Sequence, residues 1–259
     1  MHDDQVTLDL QLSPARCDWA TLRAATVEAE RRGFAAVHVL DHLAGLPLGG
    51  TSALEAFALL GALCEVTERV ELGTMVANVW NRRPGTLVTA AASIVAMSGR
   101  PFHLGVGAGA APGTRWAREQ ELAGHELEPD VADRHARVAE VLDLCDATWA
   151  DGRDPELATF PLPRPRPTTI VGVNSVALAR LAGERADGIN VQWGRAERFD
   201  YLAAADEAAG GRPFLRTAYT AWDDALLDPD HPTRAELREH RIDRLVLAVF
   251  DDLAGWLPT

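Results

Sequence analysis

Short apolar runs alternate with longer stretches of helical spacing, and the alternation is clearest from Val70 to Ala110. Val70–Val76 is a short β-branched run that suits a buried strand. Pro84–Met97 places Leu87, Val88, Ala91, Ile94 and Val95 at helical spacing, with Pro84 pre-set for a first helical turn. Ser98-Gly99-Arg100-Pro101 stops that helix, and Phe102–Gly107 is a second short apolar run. Strand, helix and strand in this order form a parallel βαβ crossover.

The same alternation extends along the chain. Further strands are predicted at Val6–Leu12, Ala35–Leu40, Ile170–Val173, Gly188–Gln192, Phe214–Trp222 and Leu245–Phe250. Between them fall a helix from Asp18, its cap, to Arg32 and Gly33, and one capped by Ser52 running to about Thr67. In the latter, Glu55 stands at capping-box spacing. Helices follow at Asp133–Trp149, Val176–Arg185, Ala196–Ala209 and Thr233–His240, with a closing stub at Leu253–Leu257. Residues 110–130 lack a period and read as a surface loop with one turn near Trp116–Leu122. The proline-rich run 151–169 reads as a stiff approach to the fifth strand. Eight strands alternating with eight helices predict an α/β protein, one (β/α)8 TIM-type barrel over residues 1–259. A doubly wound open sheet is the alternative.

Composition narrows the chemistry. The 259 residues carry a formal net charge of −13, which argues against nucleic acid or an anionic membrane surface as partner. Every one of the 25 basic residues is arginine, so Schiff-base, pyridoxal-phosphate and P-loop lysine mechanisms are excluded. Cys17, Cys64 and Cys145 lack metal or redox spacing and read as reduced residues of a cytoplasmic protein. The acidic amino terminus has no signal-peptide pattern, and no apolar run is long enough for a membrane span.

In a barrel, chemistry belongs at the carboxyl ends of the strands. Four places qualify. Asp41-His42 closes the second strand, where an imidazole can move a proton and a carboxylate can fix its tautomer. His38, four residues earlier, leaves a metal site with Asp41 and His42 conceivable, although no other ligands stand at metal spacing. Gly73-Thr74-Met75-Val76 closes the third strand and by itself reads as packed strand. Gly105–Ala110 closes the fourth, where glycines let backbone approach a flat ring or a phosphate. Gly172-Val173-Asn174-Ser175 closes the fifth and opens a helix, whose free N–H groups can hold an anion or be capped by Asn174 or Ser175.

Taken in order, several segments resemble the luciferase-like flavin- and deazaflavin-dependent oxidoreductases. They are VHVLDHL at 37–43, LEAFALLGALCEVTERVELGTMV at 54–76, RRP at 82–84, SGRPFHLGVGAGA at 98–110, the proline-rich run through GVNS to residue 191, and RIDRLVLAVF at 241–250. The resemblance covers nearly the whole chain. It implies a barrel with the cofactor ring over the strand ends and a non-proline cis peptide between Met75 and Val76. It also implies Ala108 and Gly109 beside the ring, Gly172, Val173, Asn174 and Ser175 at the cofactor phosphate, and His42 near the reacting ring carbon. The expected activity is hydride transfer between the deazaflavin F420 and a small-molecule or peptide-like organic substrate, as reduction of an activated C=C or C=N bond. His42 would be the proton donor or oxyanion stabiliser, oriented by Asp41. Alternatives are an FMN-dependent monooxygenase fed by a separate reductase, a non-catalytic flavin-binding or partner subunit, and a metal-dependent hydrolase using His38, Asp41 and His42. A homodimer is what the family suggests. The chain departs from the family's sugar-phosphate dehydrogenases: Ala110 stands where they carry a catalytic glutamate, their lysines are absent, and Val173 replaces a glycine. Insertions after the fourth strand and before the eighth are shortened, so a sugar phosphate is not expected and a more open pocket is.

Overall fold

The computed structural model describes residues 5–250 and 253–257. Eight parallel strands close into a barrel in sequence order. They are β1 (Thr7–Leu12), β2 (Ala36–Val39), β3 (Glu71–Asn78), β4 (Phe102–Gly107), β5 (Thr168–Gly172), β6 (Gly188–Gln192), β7 (Leu215–Ala221) and β8 (Arg244–Val249), with β1 and β8 paired to close the ring. Around it lie α1 (Trp19–Arg32), α2 (Ala56–Cys64), α3 (Pro84–Ser98), α4 (Arg118–Leu122), α5 (Val131–Trp149), α6 (Val176–Arg185), α7 (Arg198–Ala209), α8 (Pro232–Glu239) and α9 (Leu253–Trp256). The open-sheet alternative is thereby set aside.

The strands are legible because each packs one face on a helix. Leu10, Val37, Leu72, Leu104, Val171, Leu245 and Leu247 belong to the large core between barrel and helices. Residues of the opposite parity face inward, where Met75, Ile170 and Val246 form a small apolar plug. The rest of the interior is polar. Arg244 donates to both oxygens of Asp9 at 2.8 Å and to Glu71, and His38 Nε2 lies 3.3 Å from the same Asp9 carboxylate. Burial opposes the charged form of Asp9, but the hydrogen bonds from His38 and Arg244 outweigh it and hold its carboxyl at about 2. His103 stacks on His38 with ring centroids 5.4 Å apart, and burial together with the neighbouring His38 and Arg244 pushes its imidazole down to about 3.

The helix ends follow local chemistry. Asp18 caps α1 by accepting from Thr21 N, and Gly33 ends it at φ 84°. The α2 boundary differs from expectation: its cap is Glu55, whose Oε2 accepts from Ala58 N at 2.7 Å, not Ser52, and the helix stops at Cys64. Between β3 and β4 the register slips by one residue, from Thr74↔Leu104 to Ala77↔Val106, and the Met75–Val76 peptide in that bulge is cis.

Candidate active site

The bulge in β3 positions the first part of the site. Met75 stays in the barrel plug, and Gln11 donates its side-chain amide to the Met75 carbonyl. Val76 leans over the ends of β4 and β5, which carry glycine at the facing positions. A Cβ on Gly107 would lie 2.6 Å from Val76 Cγ2, and one on Gly172 would lie 2.7 Å from Val76 Cγ1. These two glycines therefore make room for a half-buried valine, and together the three residues form an apolar shelf without projecting side chains. Gly109 has φ +77°, and a Cβ there would meet Asn78 Oδ1 and Trp80 Cδ1, each at 2.8 Å. Its glycine is demanded by the packing of β3's outgoing loop as well as by the backbone.

Gly172–Ser175 carries the chain from β5 into α6. Ser175 is the cap, its Oγ accepting from Leu178 N at 3.2 Å, while Asn174 is exposed and gives its carbonyl to the Tyr201 hydroxyl at 3.0 Å. Val173 is buried, its N–H donating to Asn190 O. The N–H groups of the first turn of α6 face away from the helix ladder, as they do at any helix start, and suit a phosphate.

His42 stands just beyond β2, its side chain 18% exposed. Its Nδ1 lies 2.7 Å from Glu119 Oε1. The other carboxylate oxygen of Glu119 accepts from Leu43 N and Ala44 N, both at 2.9 Å. Glu119 is only 3% exposed although it sits in the five-residue helix α4. With an acceptor held against Nδ1, the neutral imidazole carries its proton there, leaving Nε2 as the free ring nitrogen. Nε2 has no hydrogen-bond partner among the described residues. Trp116 closes one side of the ring at a centroid distance of 5.9 Å.

Asp41 does not orient His42. Its carboxylate takes a bidentate pair from Arg82, at 2.7 and 2.8 Å, and accepts from Asn78 N at 2.9 Å. Arg82 also pairs with Glu55 and lies 4.8 Å from the Phe57 ring centroid. Asp41 thus ties the end of β2 to the end of β3 and to α2 and supports the His42 loop from below. The neighbouring Gln120 completes the tie by donating to Asn81, which donates to the Asp41 carbonyl. Among the described residues the carboxylate bonded to His42 is Glu119, nine residues beyond Ala110.

The hydrolase constellation does not form. His38 lies inside the barrel against Asp9, Asp41 against Arg82, and His42 against Glu119. Among the described residues, Asp9, His38 and His103 do form a group with metal-ligand spacing. There Arg244 already places a cation on both Asp9 oxygens.

The carboxyl face of this parallel barrel presents a strand-three bulge, glycine-ended neighbours and a histidine–carboxylate pair. The sequence profile of the luciferase-like monooxygenase family matches residues 5–219, and the chain belongs to that family. Among named proteins it is 34% identical over 182 residues to the F420-dependent glucose-6-phosphate dehydrogenase of Beutenbergia cavernae, covering 64% of this chain and 51% of that one. The enzyme of the same name from Segniliparus rotundus is 31% identical over 174 residues, covering 63% and 50%. The chain thus spans about half the length of these curated relatives. In three dimensions it resembles an F420-dependent secondary alcohol dehydrogenase, solved in complex with an F420–acetone adduct. The TM-score is 0.74 at 16% identity, over 96% of this chain and 95% of that one. This last likeness is one of fold.

Proposed function

We propose that this chain is an F420-dependent oxidoreductase that exchanges a hydride between the deazaflavin and an organic substrate, most simply by reducing an activated C=C or C=N bond. The observation that carries the proposal is the His42–Glu119 pair at the barrel mouth, one ring nitrogen fixed by a buried carboxylate and the other unpartnered. The curated relatives, named for F420, favour the deazaflavin over FMN.

The residues present fit such a cofactor. Val76, lodged where the Cβ atoms of Gly107 and Gly172 would be, offers a smooth apolar seat for a ring, with Met75, Ala108 and Gly109 around it. The turn Gly172–Ser175 would hold the phosphate. When bound, the deazaflavin supplies or accepts the hydride. His42 takes up a proton from water at Nε2 to form the imidazolium and gives that proton to the substrate, Glu119 holds the Nδ1 proton and balances the ring's positive charge, and the Asp41–Arg82 pair keeps the loop that carries His42 in place. No helix among the described residues is long and apolar enough to cross a membrane.

Titration of the purified chain with F420 and with FMN, followed by fluorescence quenching, tests the cofactor. Saturable F420 binding is expected; tight FMN binding without F420 binding would sink the proposal. A His42→Ala variant should still bind F420 but lose turnover on any substrate found. Full turnover in that variant would remove His42 from the mechanism.

A further inference from the structure

The loops after β1, β2 and β8 and the segment entering α4 line an open cleft of about 690 Å3, a size that suits a small organic molecule. Arg16, Arg115 and Arg118 line it together with Leu46, Trp116 and Phe250, and no described carboxylate does. In a chain with 38 acidic and 25 basic residues, such a wall inverts the sign of the overall charge locally. The arginines are not all neutralised by neighbours. Arg118 shares Glu121 at 2.9 Å, while Arg115 lies 4.1 Å from the Trp116 ring centroid and has no carboxylate partner among the described residues. The apolar part of the wall is likewise uncovered: Leu46, Trp116 and Phe250 are among the exposed large hydrophobic residues. Trp116 is also the ring that flanks His42, so the cavity opens beside the proposed acid–base group.

We infer that this cavity is the substrate pocket and that it selects substrates carrying an oxyanion, carboxylate or phosphate, on an apolar body. The inference rests on the reading of His42 as the proton-transfer group of an F420 enzyme. The proposed cofactor seat lies on the ends of β3, β4 and β5, and the cavity is lined by Arg16 after β1, Leu46–Gly49 after β2, Phe250 after β8, and Arg115, Trp116 and Arg118 in the segment that runs from β4 into α4. His42, at the end of β2, faces Trp116 of that segment. A guanidinium meets a carboxylate or phosphate in a planar, two-pronged fashion, and Trp116, Leu46 and Phe250 give the rest of such a molecule apolar surface. A neutral analogue would leave Arg115 desolvated without an acceptor, which supplies the selectivity. The chain holds no lysine, and Arg115 and Arg118 supply the cations of this cavity together with Arg16.

The test uses benzoate and phenyl phosphate as probes and benzyl alcohol as the neutral control. Binding is read from the indole 15N–1H resonance of Trp116, assigned by its absence in Trp116→Phe. Both anions should shift that resonance saturably, with benzyl alcohol about tenfold weaker or worse, in line with the loss of one charge-assisted hydrogen bond. In the double variant Arg115→Gln/Arg118→Gln the anions should weaken by about tenfold or more, while benzyl alcohol and F420 binding stay unchanged. The corresponding Arg→Lys pair should recover part of the loss, which separates charge from folding. Equal binding of benzoate and benzyl alcohol, undiminished anion binding in the Gln variant, or loss of F420 affinity in its place would each overturn the inference. If F420 fails to bind wild-type chain while the anion preference persists, the cofactor reading falls and the oxyanion site is supported on its own.

Discussion

Replacing Glu119 by glutamine isolates what its charge does, because the amide has nearly the same shape. The carboxylate accepts three hydrogen bonds, from His42 Nδ1, Leu43 N and Ala44 N, in a site almost closed to water. An amide has one acceptor oxygen. If that oxygen faces His42, two backbone N–H groups confront an NH2 donor, and each unpaired buried donor costs about 1–3 kcal/mol. If it faces the two N–H groups, its NH2 points at His42 Nδ1 and only one contact must adapt. The second arrangement wins, and it forces the ring proton from Nδ1 to Nε2. The predicted outcome is a change of tautomer in the folded protein, with a stability loss of about 2 kcal/mol as a charged acceptor becomes neutral. Turnover should fall about 10²–10⁴-fold, the usual worth of a correctly placed acid or base, because the neutral amide no longer balances the imidazolium that delivers the proton. The direct assay is 15N NMR of histidine-labelled protein, in which Nδ1 and Nε2 of His42 should exchange their protonated and unprotonated shifts in Glu119→Gln. Thermal unfolding would confirm that the variant is folded. An unchanged tautomer in a folded variant would refute the claim that Glu119 sets the ring.

Asp41→Ala removes one partner of a nearly buried ion pair, leaving Arg82, whose side chain is 11% exposed, with Glu55 alone. A loss of about 3 kcal/mol, or about 6–12 °C in Tm by calorimetry, is expected, with the His42 tautomer unaltered. Gly172→Ala drives a methyl against Val76 at 2.7 Å; it should cost about 1–3 kcal/mol by overpacking and weaken F420 in a fluorescence titration more than it lowers Tm. The chain should also lose stability on mild acidification. His103 is held near 3 in the fold against 6.5 for a free imidazole, so below pH 6.5 the unfolded chain binds a proton that the native one does not. Stability therefore falls as pH drops from 6.5 towards 3, by about 3 kcal/mol at pH 4, and Asp9, held at about 2, adds to the loss below 3.8. Urea midpoints between pH 7 and 4 measure it, and a flat profile would contradict the burial of a neutral His103.

The barrel is written in the sequence because β1–β8 each alternate between a helix-facing apolar residue and an inward one, and because Gly33, Gly99 and Gly210 stop helices at positive φ. Phe102–Gly107, Val176–Arg185 and Gly188–Gln192 keep their predicted bounds for that reason. The site was less legible where a partner comes from far along the chain. Glu119 lies in a segment with no period, and its burial is created by docking α4 onto the loops after β2 and β3, which no local pattern encodes. Its faint signal was an acid–amide pair, Glu119-Gln120, just after Trp116 in an otherwise irregular stretch. Asp41 misled through adjacency: consecutive residues in extended chain point to opposite sides, so sequence neighbours are poor candidates for side-chain contact. Arg82 stood in plain view as part of RRP, yet nothing local said which acid it would meet.

The identity of His42's partner bears on the reaction itself. Reduction of a C=C or C=N bond consumes one hydride and one proton. Under the proposed function the deazaflavin accounts for the first, and a single proton-carrying ring suffices for the second. Among the described residues Glu119 is the one carboxylate bonded to His42, and its second oxygen is tied to the backbone of residues 43 and 44. It is thus placed to hold the imidazole, not to reach a substrate, while Ala110 supplies no second acid from the β4 loop. An enzyme with one movable proton at the mouth and arginines beside it is suited to an unsaturated anionic substrate whose proton arrives from the His42 imidazolium through Nε2. That reasoning predicts a solvent deuterium isotope effect on turnover in the wild-type chain that disappears in His42→Gln. An undiminished isotope effect in that variant would place the proton donor elsewhere.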